Sequence, residues 1–157
     1  MQRSLVGSEM CIRDRFKTVE REAVTVYGWI TTLNAPNSAN GLAEMSKQKM
    51  RSKEEYASKV EENLLAVNAV IDGEQCYLIG NTEITETRPS EFELPAGTYA
   101  CFNLNYKDQV ELDQLIGRSY GELAQSEDFQ IAGNFNLEEY TGVGKVLFYV
   151  PIQKMKK

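Results

Sequence analysis

Two adjacent stretches decide the fold: TYACFNLNY (98–106) and DQVELDQLIGRSYGELA (108–124). In the first, residues two apart share a face, so Ala100, Phe102, Leu104 and Tyr106 line one side and Tyr99 and Cys101 the other. Such alternation of β-branched, aromatic and aliphatic residues marks a half-buried strand. The second changes period. Asp108 followed three residues later by Glu111 is a helix-opening pair, and Leu112, Leu115, Ile116 and Leu123 form one stripe at helical spacing. A strand at 98–106 therefore runs into a helix over about 109–124. Strands at about 134–141 and 145–152 follow, joined through Thr141-Gly142-Val143-Gly144.

The same order is expected upstream. AVTVYGWITT (23–32) alternates along a pleat, with Val24, Val26 and Ile30 on one side and Tyr27 and Trp29 on the other. Residues 34–51 carry Asn, Pro, Ser and Gly, predicting a long loop with a short helix near Leu42–Met50. Ser52 with Glu55 then resembles a capping box, and Tyr56, Val60, Leu64, Val67 and Ile71 predict a helix over 52–71 ended by Asp72-Gly73. Strands at 75–80 and about 82–94 follow, and Leu94-Pro95-Ala96-Gly97 makes the turn into the second half. The fold class is α+β: two β-α-β-β units, an antiparallel-rich sheet, both main helices on one face.

Composition narrows the chemistry. The chain has 157 residues, enough for one domain, and contains no histidine. Imidazole acid–base catalysis and Ser-His or Cys-His nucleophiles are thereby excluded. Cys11, Cys76 and Cys101 have no metal-ligand spacing, and so sparse a set fits a reducing cytoplasm. No cofactor or metal is expected. No apolar run approaches the ~20 residues of a membrane helix, so no membrane partner is expected.

Residues 1–15 show neither period and contain the string SLVGSEMCIRDR, which resembles a spurious leader of assembled sequence reads. They are read as an artefactual or disordered leader ahead of a domain over 16–157. Without their three Arg and two acids, 14 basic and 21 acidic groups remain, a net charge of −7. No direct nucleic-acid contact is expected from so acidic a chain without a basic stripe.

The run Leu94-Pro-Ala-Gly-Thr-Tyr-Ala, the strand Leu137-Glu138-Glu139-Tyr140 and the ending Leu147-Phe-Tyr-Val-Pro-Ile resemble the GyrI-like small-molecule-binding domains. These include the effector-binding domains of AraC-type and MerR-type multidrug regulators and gyrase-inhibitory proteins. The resemblance spans about 17–154. It implies a pseudo-twofold pair of β-α-β-β units with a ligand cleft where they meet, and a glutamate at the cleft floor. Glu138 and Tyr140 match the family's aromatic-Glu-x-Tyr pattern. Leu137 replaces the aromatic, and Tyr120 stands where a tryptophan is often found.

Strand parity puts Glu138, Asn136 and Tyr140 on one face. A hairpin loop of two or four residues places Glu138 opposite Leu147 and Asn136 opposite Tyr149, away from the helices; a three-residue loop flips the pairing. The first arrangement gathers Tyr27, Trp29, Tyr99, Tyr140 and Tyr149 with Glu138 on the uncovered side of the sheet. Rings and a carboxylate suit an amphipathic or cationic aromatic ligand. The expected function is small-molecule sensing, by a stand-alone protein or by the regulatory part of a transcription regulator whose DNA-binding domain lies upstream. The alternatives are a protein–protein inhibitor working through its acidic surface, and a hydrolase of strained electrophiles using Glu and Tyr.

Overall fold

The computed structural model describes residues 16–33 and 41–155. Among the described residues nine strands and two helices follow one another as β1 (Lys17–Arg21), β2 (Val24–Thr32), α1 (Gly41–Tyr56), β3 (Leu65–Ile71), β4 (Glu74–Asn81), β5 (Ser90–Leu94), β6 (Gly97–Asn105), α2 (Gln109–Ala124), β7 (Phe129–Ile131), β8 (Phe135–Gly142) and β9 (Lys145–Lys154). A short 3₁₀ turn, Ala57–Lys59, follows α1. All strands join one antiparallel sheet in the order β1-β6-β9-β8-β3-β4-β2-β5, with β7 on the end of β9. Corresponding elements of the two units start at 24 and 97, 41 and 109, 65 and 135, and 74 and 145. The order is symmetric about the β3–β8 seam, and each unit's leading edge strand (β1, β5) pairs with the other unit.

Both helices pack on the same face. Their facing sides meet at a buried ion pair between Lys49 Nζ of α1 and Asp113 Oδ1 of α2, 2.9 Å apart. α2 begins as expected: the Asp108 carboxylate accepts the Glu111 N–H at 2.9 Å, and Glu111 Oε1 accepts the Lys107 N–H at 2.7 Å. Its Leu112, Ile116 and Leu123 pack on Phe102, Val146, Phe148 and Val150. Burying each such side chain contributes about 1.5–3 kcal/mol.

The other face closes on itself. Phe92 of β5 and Phe135 of β8 are four strands apart in the sheet, yet their ring centroids lie 5.6 Å apart. A flat sheet would separate them by about 19 Å. The sheet therefore curls into a half-barrel whose inside holds Val26, Val67, Leu78, Leu94, Tyr99 and Leu137. Gly28 and Gly80, paired directly, make this possible where β2 and β4 pass closest. A Cβ on Gly28 would stand 1.9 Å from the Ile79 carbonyl oxygen, and one on Gly80 1.8 Å from that of Tyr27.

The helix expected over 52–71 is not there. α1 ends at Tyr56, and Leu65–Ile71 is a central strand paired on both sides. Asp72-Gly73 is a two-residue hairpin turn rather than a helix end: both have positive φ (52° and 81°), and Ile71 pairs with Glu74. The strand forms because Leu65, Val67, Ala69 and Ile71 also alternate, and pairing with β4 on one side and β8 on the other gives its buried peptide groups partners. Of the strand expected at 82–94, only 90–94 forms. Part of the predicted loop, 34–40, and the leader 1–15 lie outside the described residues.

Candidate functional site

One row of residues crosses the helix-covered face through direct cross-strand pairs: Trp29, Ile79, Ala66, Glu138, Phe148, Phe102. Glu138 is the only carboxylate in this row and has 0% of its surface exposed. It sits on β8 at the seam, where the two units meet. Alternation along β8 puts Asn136 and Tyr140 beside it, and alternation along β3 and β4 puts Asn68 and Tyr77 across from it.

Three neutral donors hold the carboxylate. Asn68 Nδ2 donates to Oε2 at 2.8 Å, Tyr77 OH donates to Oε1 at 3.0 Å, and Tyr140 OH donates to Oε1 as well. The Asn68 amide also donates to Asn136 Oδ1 at 2.8 Å, and Asn136 Nδ2 donates to Tyr120 OH of α2 at 2.9 Å. A polar chain thus runs from α2 through the seam to the carboxylate. Burial, and then the charge of Glu138, pushes the Tyr77 and Tyr140 phenols well above their usual range. They act as hydrogen-bond donors to the acid, and proton release from them is disfavoured.

The roof of the site is α1. Its inner positions are Ser46, Lys49 and Ser52, each at most 3% exposed, with Lys53 beside them. Lys49 Nζ lies 5.3 Å from the Tyr77 ring centroid and Lys53 Nζ 4.6 Å from that of Tyr140. Asp113 anchors the first lysine and also accepts from Ser46 Oγ and, at 3.2 Å, from Gln109 Nε2. Ser52 meets Thr31 of β2, Oγ to Oγ1, at 2.9 Å. Burial lowers the pKa of Lys53 while the Glu138 charge opposes that shift.

The expected residues separate into two groups. Glu138, Tyr140 and Tyr120 come together. Tyr149 and Tyr99 do not: they face the inside of the half-barrel. The parity reversed because a bulge at the β8–β9 hairpin, between Lys145 and Val146, adds one residue to the count and pairs Glu138 with Phe148. Tyr149 OH therefore hydrogen-bonds Glu139 Oε1 at 3.1 Å under the Arg21 guanidinium, and Tyr99 OH donates to the Pro95 carbonyl at 2.6 Å. Glu138 lies under the helices, and the face expected to be uncovered is filled by the curl.

Trp29 and Tyr27 do share the helix-side face of β2. Trp29 stacks on Tyr56 at the end of α1 (centroids 5.3 Å apart, planes 2° apart), while Tyr27 is half-buried near the strand's start. Three strand spacings put Trp29 about 14 Å from Glu138. The sequence reading missed Asn68, Tyr77, Lys49 and Lys53. Asn68 carried a usable sign: a lone amide within LAVNAVI, an otherwise apolar strand, needs a buried partner. Among the described residues no group of three His, Cys, Asp or Glu could hold a metal, and no helix is long and apolar enough to cross a membrane.

Three solved structures share the architecture. An integron cassette protein from the mobile metagenome of Vibrio cholerae, VCH_CASS2, superposes with a TM-score of 0.66 at 15% identity over 88% of this chain and 95% of that one. SAV2435, solved bound to tetraphenylphosphonium, gives 0.66 at 12% identity over 88% and 93%. A Staphylococcus aureus MU50 protein assigned to bacterial transcription regulation gives 0.68 at 13% identity over 89% and 99%. No curated protein matches the sequence significantly. Residues 15–152 match the Cass2 family profile. A buried carboxylate at the seam of two β-α-β-β units is thus set in a chain that belongs to the Cass2 family, the integron-associated effector binding proteins.

Proposed function

We propose that this effector-binding chain captures an amphipathic or aromatic cation between α1 and the sheet, with its positive charge directed at Glu138. One observation carries the reading. Glu138 is fully buried, is held by three donors that are all neutral, and is framed by the tyrosine rings of residues 77 and 140. An ionised acid in such surroundings is costly unless a cation compensates it, and ring faces attract cations as well. SAV2435, with the same fold, binds tetraphenylphosphonium, a lipophilic cation of this class.

Tyr120, Asn68 and Asn136 keep the acid oriented, and Trp29 and Tyr27 lie further along the same face. Tyr99 and Tyr149 serve the interior of the half-barrel. The hydroxyls of Tyr77 and Tyr140 are both engaged on Glu138, an arrangement that supports the reading as a sensor. The sensor would work in the cytoplasm as the effector-binding part of a transcription regulator, with DNA contact left to another domain.

Calorimetric titration with tetraphenylphosphonium and with neutral triphenylphosphine oxide tests this. Glu138→Gln keeps the shape and removes the charge. We expect it to weaken the cation by about 1.5–3 kcal/mol, the range for a charge-assisted hydrogen bond, and to leave the neutral compound nearly unchanged. Glu139→Gln, which faces the half-barrel interior, should alter neither. Equal losses for both ligands on Glu138→Gln would refute charge recognition by this residue.

A further inference from the structure

The two lysines of α1 stand one helical turn apart, over two tyrosines whose hydroxyls converge on the same oxygen, Glu138 Oε1. Their restraints differ. Lys49 is locked by a carboxylate, Asp113, at 2.9 Å. Lys53 donates to a neutral amide oxygen, Gln109 Oε1, at 2.6 Å, and otherwise lies against the Tyr140 ring. We infer that Lys53 is the site's internal counter-cation to Glu138, a tethered substitute for the ligand's charge that an incoming cation must displace. This rests on the reading of the site as a cation receptor and adds a specificity determinant to it.

The groups facing Lys53 come from three elements. Glu138 and Tyr140 lie on β8, Gln109 and Asp113 on α2, and Lys49 on its own helix. Glu138 is the largest favourable charge for the ammonium, opposing the burial that disfavours it; Lys49 opposes it and Asp113 favours it less strongly. A ligand cation at the Tyr140 ring would take over that favourable interaction and leave Lys53 with a like charge beside it. The four-carbon stem then carries the ammonium outward to water, since Gln109 offers no charge to hold it. Lys49 stays, because leaving would strand a buried carboxylate.

The consequence is selective affinity. A weak or small cation gains nothing by replacing Lys53. A cation with large apolar area succeeds because its burial drives the exchange. Lys53 thereby sets a threshold that favours lipophilic cations over ordinary ammonium compounds.

The test uses the full chain with labelled lysine side chains, read by NMR and calorimetry. Without ligand, Glu138→Gln should lower the Lys53 titration midpoint, and Glu139→Gln should not. An unmoved midpoint overturns the pairing whatever the protein binds. With tetraphenylphosphonium at saturation, the Lys53 Cε signal should move to the position of exposed lysines while that of Lys49 stays. Lys53→Met should bind this cation about tenfold more tightly, the effect of one displaced interaction of about 1.4 kcal/mol, and Lys53→Arg should bind much as the parent does. Equal or weaker binding by Lys53→Met, or an unperturbed Lys53 at saturation, refutes displacement. If neither protein binds the cation although Glu138→Gln shifts Lys53, the receptor reading and displacement both fail and only the pairing survives.

Discussion

The two helices cover the same face of the same sheet and share a buried polar contact at Asp113, but only α2 adds an apolar stripe of its own. α2 turns Leu112, Ile116 and Leu123 toward the phenylalanines of β6 and β9. α1 buries Ser46 and Lys49 against Asp113 of α2 and Ser52 against Thr31 of β2, and sets Lys49 and Lys53 over the rings of Tyr77 and Tyr140. α2 is held by area, which is non-directional and tolerant of small shifts. α1 is held by a set of directional partners: Thr31 with Ser52, Asp113 with Ser46 and Lys49, and Trp29 stacked on Tyr56. The contrast follows from what lies beneath each helix. A site that must hold a carboxylate in a dry place needs a polar roof, and the helix supplying it loses the apolar stripe that normally fixes a helix to a sheet.

The largest effect should come from breaking the roof at its anchor. Lys49→Met leaves Asp113 buried without its cation, and we expect a loss of about 3–5 kcal/mol in urea unfolding. Adding Asp113→Leu should recover much of it, because an apolar pair of similar volume has no charge to strand. On α2 the matched truncation, Leu112→Ala, should cost about 2–5 kcal/mol through the cavity it opens. No charge-removing second change should rescue that loss. If the Lys49 and Asp113 losses simply add, the pair is not coupled and α1 is held by area as α2 is.

A smaller effect tests the entry to α2. Asp108→Ala removes the side chain that accepts the Glu111 N–H, and should lower stability by about 1 kcal/mol. Because the cap is local, binding at Glu138 should not change. A loss of cation affinity larger than the loss of stability would mean that α2 positions the site through Tyr120 and Asn136 more tightly than α1 does.

The same contrast explains what could be read from the sequence. α2 was legible to the residue, because capping chemistry and an apolar stripe agree there. α1 shows in the sequence only as a short helix within a loop, since Lys49 and Ser52 at its inner positions look like solvent-facing residues. Val60, Leu64, Val67 and Ile71 mimic a continuing helix, because a spacing of about four residues coincides with one face of a strand. Asp72-Gly73 fits a helix stop and a hairpin turn alike, and only the pairing partner chooses between them. Glu138 and Tyr140 share a face in the sequence pattern and in the structure alike, because strand alternation needs no partner, while the choice of this strand rests on the family resemblance. Tyr149 was misplaced because one bulged residue at Thr141-Gly142 reverses every side chain beyond it. The pseudo-twofold architecture survived these errors, since it depends on element order rather than on register.

The smallest expected effect has the opposite sign and probes the outer side of α2. Gly117 and Gly121 have the four-residue spacing that elsewhere lets a helix approach a neighbour closely, and close packing on the sheet is a natural reading of it. Here both are exposed, and a Cβ built on either meets nothing within 4 Å. With no close approach to protect, each glycine only weakens the helix through the extra backbone freedom of the unfolded chain. Gly117→Ala should therefore stabilise the protein by about 0.5–1 kcal/mol, seen as a higher urea midpoint at unchanged slope. The altered side chain points away from the seam, so tetraphenylphosphonium affinity should hold. A stabilised variant that binds the cation less well would mean that α2 must flex for the ligand to enter, and the division between a fixed α2 and a responsive α1 would have to be redrawn.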